Sequence, residues 1–215
     1  GQQFIMQTSS TSNQEKYGWL GNPADLEEWK DERKVKGLMS YNYTIPKKDY
    51  EGTISVDRNE IQDDQIGGIR IRINDLATKA KQHPHKLMLN ALVNGTSDLC
   101  YDGAAFFSTS HVLGTQSAQS NLLTGTGVTA ATFAADFIAA RAALKSFKDE
   151  QGVPMNEGEN DLYVIAHPDL QGIIDIVFKA SVISQTTNTL VNAAKTIYSA
   201  RFADKTDWYL MDAMG

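Results

Sequence analysis

At 215 residues, 41% hydrophobic and 21% charged, the chain is long enough to bury roughly 70% of its unfolded surface and too apolar to be disordered throughout. Its net charge of −6 argues against a surface built chiefly to grip nucleic acid, because phosphate binding draws on clustered Lys and Arg. A single cysteine, Cys100, excludes an internal disulfide, and with no secretory signal at the start and no apolar run near the roughly 18 residues of a membrane helix, a soluble cytosolic product is expected.

The first thirty or so residues are polar and rich in Ser, Thr and Asn, then turn at GNP into the acidic stretch DLEEWKDERK. Leu26 and Trp29 lie three apart and share a helical face, so an extended arm followed by a short helix is expected over residues 1–33. Residues 34–62 read as a long hairpin. Tyr41, Tyr43 and Ile45 alternate along one strand, Ile54 and Val56 along the other, and the turn PKKD, with Pro46, Lys47, Lys48 and Asp49, joins them at the tip. Two strands alone are marginal in water, so such a ribbon needs support from elsewhere.

From Asp63 the period changes. Ile66, Ile69, Ile73, Leu76, Ala80, Leu87 and Ala91 step by threes and fours except at Pro84, which predicts one long helix, kinked or restarted at HPH and closed by Asn94 and Gly95. Asp63 and Asp64 are placed to cap it. The stretch LCYDGAAFFSTSH reads as strand and turn, and LGTQSAQSNLLTGTGVT as a loop and domain boundary. Phe133, Phe137, Ala140, Leu144 and Phe147 set out a second helix. DLYVIA is a buried strand, Pro168 opens a third helix through Leu170, Ile173, Ile174 and Val177, and TIYSARF and DWYLMD add two short strands. The second half reads as a compact α+β unit and the first as elongated.

Few residues suggest chemistry. Cys100 and His111 form the sharpest pair, since an imidazole can draw a proton from a thiol, but LCYDG matches no catalytic signature and a lone cysteine among apolar neighbours is usually core. His83 and His85 are two apart on a helix and do not face one way, so no metal site is expected. His83 and His167 each precede a proline, where helix-start roles fit. GTGVTA, residues 125–130, matches a dinucleotide fingerprint in letters. It lacks a good preceding strand and an acid for the ribose, so a loop feeding an N-cap threonine, Thr129 or Thr132, accounts for it, and no cofactor is expected.

The runs STSNQEKYGWLGNPADLEEWKDER, YTIPKKDYEGTISVDRNEIQDDQIGG, HPHKLMLNALVNG and CYDGAAFFSTSH, in this order across residues 9–111, resemble the major head subunit of Mu-like phages and prophages. FKDEQGVPM, LYVIAHPDLQ and DWYL are similar to that family's second half. The resemblance implies an α+β fold, the tailed-phage capsid fold of the Hong Kong type, with an N-terminal arm segment and short helix (1–33), an extended β-hairpin loop (34–62), a peripheral domain with a spine helix (63–124) and an axial domain (125–215). It implies hexamers and pentamers of identical subunits closing into an icosahedral head around double-stranded DNA held without sequence-specific contacts. It also implies a scaffold, a maturation protease and a portal during assembly in the bacterial host cytoplasm, a place in the virion, no membrane and no catalysis. The family extends further at both ends, so an incomplete polypeptide is expected, truncated before the closing peripheral strands. Tyr50 stands where the family pattern suggests tryptophan. Some relatives of the fold crosslink a loop lysine to an asparagine; Mu-type heads are not expected to do so.

In a shell the ribbon finds its support on a neighbour. Tyr43, Pro46, Lys47, Lys48, Asp49 and Tyr50 are therefore expected to form an intersubunit surface, the lysines meeting Glu27, Glu28 and Asp31 of an adjacent copy. Two other classes stay open: an enzyme built on Cys100 and His111, and a subunit of a non-viral encapsulating compartment or tail.

Overall fold

The computed structural model describes residues 14–20, 40–56, 58–59, 66–114, 116–156, 158, 161–183 and 186–213. By contact the chain divides into two units, residues 1–16 with 44–92 and residues 17–43 with 93–215. The expected arm helix of residues 21–33 and the capping positions Asp63 and Asp64 lie outside the described residues.

The second unit is organised by strand β3, Leu162–Ala166, buried at all five positions. A run of apolar and β-branched residues with no polar alternation is what a strand covered on both faces requires. It is central in a three-stranded sheet. Strand β6, Lys195–Tyr198, pairs with it in parallel, Tyr163 opposite Lys195, and β7, Trp208–Asp212, pairs antiparallel, Ala166 opposite Trp208. A parallel neighbour needs a crossover. The chain supplies it with a 3-10 turn, Pro168–Leu170, the helix α3, Gln171–Lys179, and a small ladder of β4, Val182–Ile183, and β5, Thr186–Thr187.

Helix α2, Ala130–Lys145, packs on α3 to cover the sheet. Phe133 and Phe137 of α2 meet Phe178 of α3 edge to face, at centroid distances of 5.7 and 4.8 Å, and Phe133 also meets Trp208 at 5.1 Å. Leu162, Val164 and Ala166, every second residue of β3, join this cluster with Ile174, Val177 and Leu190. Thr129 is the N-cap of α2: its hydroxyl accepts from the Thr132 N–H at 3.2 Å, and Thr132 Oγ1 accepts from the Thr129 N–H at 2.9 Å. His167 caps the 3-10 turn, its Nδ1 accepting from the Asp169 N–H at 3.1 Å, as its place before Pro168 suggests.

Helix α1, Ile66–Asn94, has 29 residues and at 1.5 Å per residue is about 44 Å long. It runs without interruption through Pro84. One long helix is present as expected; of the kink or restart expected at HPH, the restart does not occur, and His83 is a mid-helix residue, not a helix start. A proline costs one backbone hydrogen bond and crowds the preceding turn, a cost a helix of this length absorbs. The end is as expected, with the N–H groups of Ser97 and Asp98 both donating to the Asn94 carbonyl at 2.8 Å.

The ribbon differs from expectation. Strand β2, Ser40–Pro46, is present, but its ladder partner is β1, Gln14–Leu20, in the stretch read as extended arm. Residues 47–56, which hold Ile54 and Val56, form no strand. Pro46 lacks the N–H a ladder needs, while QEKYGWL offers its own alternation through Tyr17 and Trp19. Lys47 and Lys48 accordingly follow the end of β2 instead of capping a hairpin. The stretch LCYDGAAFFSTSH likewise folds as turns joined by the isolated bridges Leu99 to Ala105 and His111 to Gln119, not as a strand. The contact division falls between Leu92 and Val93. In the loop, Gln119 bonds both the N–H and the carbonyl of Lys148, at 2.7 and 2.8 Å.

Candidate assembly surfaces

The segment after β2 lies along α1. The Tyr50 ring meets His83 edge on at 4.3 Å, and Gly52 sits so close to Leu76 that an added Cβ would stand 2.8 Å from its Cδ1. His83 and Leu76 are seven apart, and Ile69 a further seven, so one stripe of the helix receives this segment. These three are the half-buried positions among residues 67–87. The His83 Nε2 is buried without a hydrogen-bond partner among the described residues, and the aromatic ring beside it is its only evident compensation. Tyr50 itself remains 56% exposed.

The rest of α1 is open. Ile71 and Ile73 are 63% and 53% exposed, and every residue from Ala77 to Gln82 is exposed. Full burial returns only at Leu89 and Leu92. Two large aliphatic side chains on the two flanks of the helix are thus left exposed.

Of the expected interface residues, Tyr43 lies in β2, Pro46 ends it, and Lys47, Lys48, Asp49 and Tyr50 follow, the last five all exposed. Lys47 Nζ already has Asp49 Oδ1 at 3.4 Å, a pair of small worth at this exposure. Glu27, Glu28 and Asp31 lie outside the described residues.

Cys100 and His111 are brought together, lining one apolar cavity of about 200 Å³ with Phe106, Leu113, Phe147 and Met155. The arrangement does not make a nucleophile. His111 Nδ1 lies 2.6 Å from Asp102 Oδ2 and Nε2 3.0 Å from the Phe106 carbonyl, so both nitrogens face other partners and neither is turned to the thiol as a base. Burial pushes the Cys100 thiol above its ordinary range, away from thiolate. Burial alone would raise the Asp102 carboxyl too, but the hydrogen bonds from His111 and from the Ala104 N–H outweigh it and hold the group below the usual carboxylate range. Asn121 completes the knot, donating to the Phe106 carbonyl at 2.6 Å and accepting from the Ser108 N–H at 2.8 Å. These bonds fold residues 99–121 around themselves. Asp102 and Asn121 escaped the sequence reading because a turn aspartate nine residues before a histidine carries no periodic signal.

The loop GTGVTA is likewise spoken for. Asp136 accepts from both the N–H and the hydroxyl of Thr126, each at 2.8 Å, where a dinucleotide phosphate would need free donors.

The mixed helix-and-sheet fold is that of phage capsid proteins. The capsid of bacteriophage JBD30 superposes with a TM-score of 0.71 at 20% identity, over 89% of this chain and 86% of that one. The JBD30 capsid decorated with minor capsid protein trimers gives 0.78 at 19% identity, over 94% and 90%. A family model described as Mu-like prophage major head subunit gpT matches residues 2–136, and the chain belongs to that family. It is 32% identical over 108 residues to the major capsid protein of Escherichia phage Mu, covering 50% of this chain and 35% of that protein. It is 33% identical over 105 residues to the FluMu prophage major head subunit of Haemophilus influenzae, covering 49% and 34%. The chain thus spans about a third of the length of these relatives.

Proposed function

We propose that this protein is the major capsid subunit of a Mu-like phage or prophage head, a structural protein and not an enzyme. It self-assembles into hexamers and pentamers that close into an icosahedral shell around double-stranded DNA. The observation that carries the reading is the family match across residues 2–136, the part of the chain that holds the ribbon and α1. The physics agrees with it. A helix of about 44 Å with Ile71 and Ile73 in water is a poor component of a monomer and a good one of a ring, where head-to-tail contacts place each surface against a different one on the next copy. Many modest contacts then add through effective concentration.

In this reading α1 belongs to the peripheral domain and the β3 sheet to the axial domain. The surface around Tyr43, Pro46, Lys47, Lys48, Asp49 and Tyr50 meets Glu27, Glu28 and Asp31 of an adjacent copy, with charge steering association more than supplying affinity. The scaffold, maturation protease and portal act during assembly in the host cytoplasm, and a minor capsid protein, as on the JBD30 shell, is a further candidate partner. Electron microscopy of the purified full-length protein tests the function. Closed icosahedral particles are expected; a protein that stays monomeric at high concentration overturns it. Reversing Lys47 and Lys48 to glutamate should slow particle formation, and unchanged assembly would remove those lysines from the interface.

A further inference from the structure

Charge is unevenly shared along this acidic chain. Helix α1 carries Arg70, Arg72, Lys79, Lys81 and Lys86 against the single acid Asp75, a net of +4, so the remainder of the −6 chain stands at −10. The asymmetry is sharpest over residues 79–86, KAKQHPHK, with three lysines and two histidines, and no acid occurs between Asp75 and Asp98. Lys79 and Lys86, seven apart, share one flank of the helix, and Lys81 and His85, four apart, share another. All four are exposed, and the three lysines form no ion pair among the described residues.

A DNA-filled shell offers these cations two anions: acids of another copy, or phosphate. The two halves of α1 differ in a way that separates them. The first half pairs arginine with exposed isoleucine, Arg70, Ile71, Arg72 and Ile73, a composition suited to a protein partner. Residues 79–86 have no arginine, aromatic or large aliphatic residue, and lysine is depleted in protein interface cores. Unpaired lysines on a rigid helix are instead what sequence-independent phosphate contact uses.

We propose that residues 79–86 of α1 are a sequence-independent contact for the phosphate backbone of the enclosed DNA, an inference that rests on the shell reading. The test uses the unassembled full-length subunit and a labelled duplex DNA of mixed sequence, with binding followed across salt concentration. Replacing Lys79, Lys81 and Lys86 by alanine, which favours the helix, should flatten the slope of log affinity against log salt by about 0.9 per lost contact, to about 2.7 for all three. Lysine-to-arginine replacements should keep the slope, and a second DNA sequence should give the same values. Particles of the alanine variant should form normally and lose their DNA at lower salt. An unchanged slope overturns the proposal, as does an alanine variant that binds DNA normally but no longer closes particles, which would assign these lysines to a subunit contact. Failure of the unaltered protein to form particles would sink the shell reading, and the slope, read on unassembled protein, tells the two failures apart.

Discussion

The β3 sheet with its two helices and the long helix α1 use apolar residues in opposite ways. All five residues of β3 are buried and Phe137, Ile174 and Val177 have essentially no exposed surface, whereas among residues 67–94 of α1 only Leu89 and Leu92 are fully buried. The first region closes on itself. The second meets residues 50–52 along one stripe and leaves Ile71, Ile73 and residues 77–82 exposed. One chain thus contains a part that buries its apolar residues within itself and a part that leaves Ile71 and Ile73 exposed; in the proposed shell that second part is covered by other copies.

The hardest blow to the self-sufficient region is Phe137→Ala. It removes the ring that meets Phe178 at 4.8 Å and should cost about 3–5 kcal/mol in chemical denaturation of the full-length subunit, with particle yield falling because the subunit no longer folds. A loss under about 1 kcal/mol would mean that this core is looser than its packing.

Asp102→Ala comes next. It strands His111 Nδ1 and the Ala104 N–H, at an expected cost of about 2–3 kcal/mol. The pH dependence has a definite sign. A carboxyl held below its ordinary value contributes stability that is present above the unfolded pKa of about 4 and lost as pH falls through the depressed folded value. The denaturation midpoint of the unaltered protein should drop below about pH 4, and the difference from Asp102→Ala should narrow there. Equal differences at neutral and acid pH would remove the pair from the account.

Thr129→Ala should cost about 1 kcal/mol by stripping the first turn of α2 of its cap. Smallest in the unassembled subunit, and most informative, is the double change Ile71→Ser and Ile73→Ser. Both side chains are exposed, so unassembled stability should move by no more than about 0.5 kcal/mol, while particle formation should fail. Normal particles from that variant would show that these residues face water in the shell as well.

The division between the two regions also sets what the sequence made legible. Periodicity located α1, α2, β3, α3, β6 and β7; Phe133 and Phe137 of α2, Leu162, Val164 and Ala166 of β3 and Ile174 and Val177 of α3 bury their apolar set within the chain. It misjudged the ribbon. Two stretches, QEKYGWL and the one holding Ile54 and Val56, offered β2 a similar alternation, and pairing between remote strands leaves no local trace. Pro84 misled in the other direction, since a local breaking tendency was overridden by a long helix around it. At the candidate surfaces, Pro46 at the end of β2 and the exposed lysines and tyrosine after it were visible as residue types. The knot of Asp102, His111 and Asn121 was not, because a side chain bonding a remote carbonyl is fixed by tertiary geometry alone.

Hydrogen exchange on the full-length protein, compared between unassembled subunit and purified particles, tests the central claim most directly, because amide protection reports where local opening is suppressed. The account predicts that amides of α1 and of the β1–β2 pair slow markedly on assembly while those of β3 stay as they were. Equal protection of α1 in both states would contradict it, since that helix would then owe its stability to its own chain.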